Sequence, residues 1–189
     1  MKMLNSLKHI ALACCFALLV AGCDQVSLAD SAREKMSSLC SAGQLSTAEY
    51  TVEKVIKASD CAWWKVGDRK ILFSCRAYLE GGIDLAKYDP AKTVVDEGSK
   101  AITIVLPKPE LLSFNMPADE IQLKYTKVTC FRMNFSATER TDVLRQGEAD
   151  IRADIPNLGI LDDAETNATT YFTALFKQLG FKEINIKYE

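Results

Sequence analysis

The apolar pattern of this chain changes period once, at Ser136. Before it, apolar residues recur at every second position, most cleanly in Ile71, Phe73, Cys75, Ala77 and Leu79. A period of two turns one side of a segment to a core and the other to water, as a strand does. After it, Leu161, Ala164, Ala168, Tyr171, Phe172, Leu175 and Leu179 keep helical spacing. The switch itself is Ser136-Ala137-Thr138-Glu139, a capping box that starts a helix. That helix carries Leu144, Gly147 and Ile151 on one face and ends before Pro156. Gly180 ends the next helix, and Ile184, Ile186 and Tyr188 alternate in a closing strand. This order predicts an α+β fold: a single domain, a mainly antiparallel sheet, two C-terminal helices packed on one face, and a closing C-terminal strand.

Upstream, alternation predicts a strand over Ala48–Ala58, with a phase slip at Val55-Ile56 that reads as a bulge or a turn. Asp60–Asp68 reads as a loop. A second strand runs over Arg69–Glu80, and Gly81-Gly82 should break it. Lys92–Val95 and Lys100–Leu106 flank Asp96-Glu97-Gly98 as a hairpin. Pro107 and Pro109 bar a central strand through them. Glu120–Phe135 reads as one long strand, bent or bulged.

The N-terminus places the chain in a cell. Lys2 and Lys8 precede an unbroken apolar run of 12 residues, Ile10–Ala21. A bilayer takes roughly 20 residues to cross, so the run reads as a signal peptide. Val20-Ala21-Gly22-Cys23 resembles the bacterial lipobox, in which the cysteine thiol receives a diacylglyceryl group. The expected organisation is a lipoprotein signal over 1–22, an anchor and tether over 23–44 with a short helix at Asp30–Leu39, and a globular domain over 45–189. Asp24 after the lipidated cysteine resembles an inner-membrane retention signal if the source is enteric-like. The domain would face the periplasm.

Cleavage before Cys23 removes His9, the only histidine. The mature chain then lacks a residue needed for Ser-His-Asp or Cys-His catalysis and for His-ligated metal. It also loses Lys2 and Lys8, leaving 21 basic against 25 acidic residues, a net of −4. An acidic chain of this kind is not built to neutralise phosphates, so no nucleic-acid partner is expected. No cofactor or metal is expected either.

Four mature cysteines besides the anchor, Cys40, Cys61, Cys75 and Cys130, allow up to two disulfides in an oxidising compartment. Cys75 is in phase with its apolar run and Cys130 is out of phase with its own, so they should face opposite ways. That leaves Cys40–Cys61 as the favoured bridge, with four separate thiols as the alternative.

Trp63-Trp64 is the chief surface candidate, because adjacent residues of an extended segment point opposite ways. One exposed Trp would serve a partner or lipid headgroups. The alternative is that both cover the end of the core. Asp84 reads as a turn cap, and Pro107-Lys108-Pro109 as a stiffened strand exit. Asp162, Asp163 and Glu165 suit the positive end of a helix, and Arg140, Arg145 and Arg152 read as a solvated face.

Several segments taken in order resemble the bacterial family called domain of unknown function 4230. They are Lys70-Ile71-Leu72, Gly82-Ile83-Asp84-Leu85, Ile102-Thr103-Ile104 with Leu106-Pro107, Gly159-Ile160-Leu161, Ala164 with Asn167-Ala168, and Leu179-Gly180-Phe181 with Ile184 and Ile186. The resemblance covers about Leu45 to Tyr188 and implies one membrane-tethered domain, with no catalytic residues to carry over. The expected function is a non-enzymatic accessory module, attached to the membrane by lipid on Cys23 and serving another envelope protein. One alternative is a histidine-free, carboxylate-based glycan hydrolase, which needs a deep pocket with two or more carboxylates. Another is a small-ligand or lipid-binding module, which needs an apolar cavity. A sheet face filled by Leu144, Ile151, Leu161, Phe172 and Leu175 would oppose that last reading.

Overall fold

A computed structural model describes residues 27–61 and 66–189. Helix α1, Leu28–Ala42, leads into β1, Gln44–Asp60, and β2, Arg69–Asp84. These two strands form a long antiparallel hairpin, in register from Gln44 opposite Asp84 to Asp60 opposite Arg69. Two short turns, Leu85–Lys87 and Pro90–Lys92, lead to β3, Val94–Asp96, and β4, Ala101–Leu106. Then come β5, Glu110–Asn115, and β6, Gln122–Val128. Helices α2, Ala137–Asp154, and α3, Ile160–Leu179, precede β7, Glu183–Tyr188.

The fold is α+β, as the change of period implies, but its strands divide into two sheets. In the first, β2 pairs β1 along one edge and shares its other edge between β6 and β5. In the second, β4 lies between β3 and β7. All pairings are antiparallel except β4 with β7, which are joined by a crossover through both helices.

The alternation of β2 decides where the helices go. Ile71, Phe73, Cys75, Ala77, Leu79 and Ile83 are all buried on one face. Against that face α2 packs Ile151, and α3 packs Ile160 and Ala164. Further along, α3 buries Ala168, Phe172 and Phe176 on Ile102, Ile104 and Leu106 of the second sheet. Helix α3 is therefore the element common to both sheets. Complete burial of Phe172 contributes about 2 kcal/mol by area transfer alone.

Cap chemistry fixes the helix ends. Ser136 and Glu139 form the full capping box of α2. Gly180 closes α3 at φ 105°, in the left-handed region that favours glycine.

Several segments depart from the sequence reading. Strand β2 runs through Gly81-Gly82 instead of breaking there. A Cβ on Gly82 would lie 2.2 Å from the Leu45 carbonyl oxygen, so the glycine is present for close approach. The bulge of β1 falls between Ser46 and Ala48, and the ladder is continuous through Val55 and Ile56. The long strand expected over Glu120–Phe135 is β6 alone, and β5 was not anticipated. Helix α1 is longer than Asp30–Leu39, and it buries Ala32 and Met36 in the main core. The stretch read as a tether thus contributes to the folded body.

Candidate functional site

A large apolar concavity lies between α1 and the connector that follows β2. Its volume is about 700 Å³. Ala29, Ala32, Met36 and Cys40 form its helical wall at spacings of three, four and four. Leu85, Tyr88, Val95 and Ile102 face them. Arg33 and Ser37 stand at the rim.

Local chemistry builds both walls. Ser27 caps α1 by accepting from the Asp30 amide at 3.0 Å, and Arg33 pairs with Asp30 at 2.7 Å. Gly43, at φ 81°, ends the helix, and its carbonyl accepts from the Leu85 amide at 2.8 Å. That bond joins the end of α1 to the opposite wall. The opposite wall is two tight turns, each started by an aspartate. Asp84 accepts from the Ala86 amide at 3.1 Å, and Asp89 accepts from the Ala91 amide at 2.9 Å. Asp84 is thus a turn cap, as its place in the sequence implies. Glu97 accepts from the Ala29 amide at 3.4 Å and ties the start of the helix to the β3–β4 turn.

The groove presents few polar groups. The Tyr88 hydroxyl is satisfied by Thr93 Oγ1 at 2.5 Å. Burial pushes the Tyr88 phenol up and the Cys40 thiol up, so both stay neutral near pH 7. Among the described residues no carboxylate lines the cavity. Its chemistry suits an apolar or amphipathic small molecule held by area rather than by charge.

Many carboxylates elsewhere are engaged in ion pairs and caps. No buried charged residue occurs among the described residues, nor any group of His, Cys, Asp and Glu able to hold a metal. Asp163, in the first turn of α3, accepts from the Tyr50 hydroxyl at 2.6 Å and holds that phenol up. Asp162 and Glu165 lie on the same helix. Arg140 donates to the Phe135 carbonyl at 3.0 Å, and Arg145 pairs with Asp142. Arg152 pairs with Glu148 and also lies 3.9 Å over the Phe114 ring, so it is more than a solvated charge. Lys108 donates its amide to the Glu189 carbonyl at 3.2 Å, which fixes the proline-flanked strand exit.

Cys23, Trp63 and Trp64 lie outside the described residues. The structure shows Cys40, Cys61, Cys75 and Cys130 as free thiols. Cys40 and Cys61 flank opposite ends of β1, a strand of 17 residues and therefore about 50 Å long. That separation corrects the expected Cys40–Cys61 bridge, since bonded cysteines have Cα atoms only about 6 Å apart. The groove itself was not anticipated. The spacing of Ala29, Ala32, Met36 and Cys40 was the available signal.

No described helix is long and apolar enough to cross a membrane. No curated protein and no solved structure gives a significant match to the chain. A family model described as a protein of unknown function, DUF4230, matches residues 37–186, from the second half of α1 into the last strand. The chain belongs to that family.

Proposed function

We propose that the chain is a bacterial envelope lipoprotein, held to the membrane by lipid on Cys23, whose periplasmic domain binds a ligand rather than transforming one. The groove between α1 and the Leu85–Lys92 connector carries this reading. It is within the size range of small-molecule sites, largely apolar, and walled by elements with defined caps. The sheet faces beneath the helices are filled, by Ile151 on the first sheet and Phe172 on the second, and the groove borders the second core at Ala32, Met36, Leu85 and Ile102. Its ligand class is an apolar chain, with Arg33 at the rim to meet a polar head. An accessory role beside another envelope protein follows if that protein supplies or receives the ligand.

Two measurements test the reading. Palmitate labelling in cells should mark the wild-type chain and not Cys23→Ser, and an unlabelled wild type would remove the anchor. Titration with a fluorescent fatty acid should show saturable binding that Ala86→Trp, at an exposed position of the groove wall, weakens at least about tenfold.

A further inference from the structure

The far end of the β1–β2 hairpin concentrates positive charge on an acidic protein. Lys70 on β2 lies directly opposite Lys127 on β6. Lys57 on β1 is one diagonal step away, since Ser59 pairs with Lys70. Alternation sets their direction. Ile71 and Phe73 are buried beneath α2, so Lys70 projects from the other face of the sheet. All three lysines are exposed, and none has an ion-pair partner among the described residues. Like charges directly opposite one another on a sheet are destabilising, and no carboxylate among the described residues pairs with these lysines. Asp68, exposed beside Lys70, is outnumbered.

The same end carries the most exposed apolar side chains of the described structure. Phe131 is 95% exposed, Met133 83% and Val66 69%. Phe131 and Met133 follow β6 by a few residues, and Gly67 lies against Cys130. Tyr125, opposite Leu72 and on the face of the lysines, is 48% exposed. Isolated exposed apolar residues are ordinary, but three of them at the end of the sheet that also carries three lysines without an ion-pair partner among the described residues are not. Aromatic and aliphatic side chains beside Lys are the composition of interfacial membrane contacts.

We propose that this end of the hairpin docks on an anionic lipid surface, with Phe131 and Met133 entering the headgroup layer and Lys57, Lys70 and Lys127 facing the lipid phosphates. The contact lies at the opposite end of β1 from α1, so it is separate from the groove and does not depend on it. It also needs no lipid on Cys23. A surface held there would fix the long axis of the hairpin relative to the membrane.

Vesicle flotation tests this with a chain beginning at Asp24, which retains every residue of the three core clusters. The probes are phosphatidylcholine vesicles with and without phosphatidylglycerol. Binding should require phosphatidylglycerol and weaken as salt rises. Lys70→Glu with Lys127→Glu should reduce it by at least about tenfold, and so should Phe131→Ser with Met133→Ser. All four sites are exposed, so circular dichroism should show both variants folded. Ala86→Trp should bind as wild type. No binding to anionic vesicles overturns the proposal, as does equal binding to neutral vesicles. If the end instead mediates self-association at low salt without vesicles, the lipid assignment is likewise overturned.

Discussion

Arg69 on β2 grips Glu139 at the start of α2 with both terminal guanidinium nitrogens, Nη1 to Oε2 at 3.1 Å and Nη2 to Oε1 at 2.5 Å. Glu139 Oε2 also accepts from the Ser136 amide at 2.8 Å, completing the capping box. The Arg69 guanidinium lies 4.4 Å over the Phe135 ring and reaches Asp60 on β1 as well. One arginine thus ties the first turn of α2 to the end of the hairpin.

This geometry makes stability depend on acid. The Arg69 guanidinium, then the Ser136 amide, hold the Glu139 carboxyl down from an ordinary 4.5 to about 2. A carboxyl depressed on folding stabilises the fold fully above its unfolded value. The contribution fades as pH falls from about 4.5 toward about 2. Urea midpoints across that window should fall for wild type and fall less for Glu139→Gln, which already lacks the charge. Parallel curves would show that the pair contributes nothing.

Two glycines should respond differently to Ala. At Gly82 a Cβ meets backbone, the Leu45 carbonyl oxygen at 2.2 Å, together with Leu112 Cδ1 at 2.7 Å. At Gly147 it meets only side chain, Ile56 Cδ1 at 2.1 Å and Cγ1 at 2.5 Å. Gly82→Ala should cost at least about 2 kcal/mol, and Leu112→Ala should not restore it. Gly147→Ala should be rescued in large part by Ile56→Ala, since the two changes act on one contact. Denaturant midpoints of the four variants and the two pairs decide this. Rescue at Gly82 would place the obstruction in Leu112 instead.

Thiol reactivity should follow exposure. Cys61 and Cys130 are exposed and should alkylate at once in the folded protein. Cys75, buried with its thiol pushed up by desolvation, should react only on unfolding. Cys40 should fall between. Peptide mapping of maleimide adducts gives the order. A Cys40–Cys61 linked peptide from a monomer would contradict the placement of α1 and β1.

What the sequence revealed and what it hid have separate causes. Helices α2 and α3 were legible because their caps are local: Ser136, Glu139 and Gly180 act within a few residues. The β3–β4 hairpin was legible for the same reason, with Asp96 holding the Gly98 amide at 2.9 Å. The run through Gly81-Gly82 was not, because a distant carbonyl and the Ile160 side chain require those glycines. Strand β5 was hidden because Leu111, Leu112, Ser113 and Phe114 are all half-buried, which erases alternation. The groove was hidden because its walls are more than 40 residues apart and one of them lay in a segment read as a tether.

Binding at the groove is the most direct test. The chain beginning at Asp24 is titrated into a fluorescent fatty acid at pH 7. Binding should be saturable and one-site, weakened at least about tenfold by Ala86→Trp and unchanged by Phe131→Ser with Met133→Ser. Absence of saturable binding, or equal affinity in the Ala86→Trp protein, would contradict a ligand-binding role for this groove.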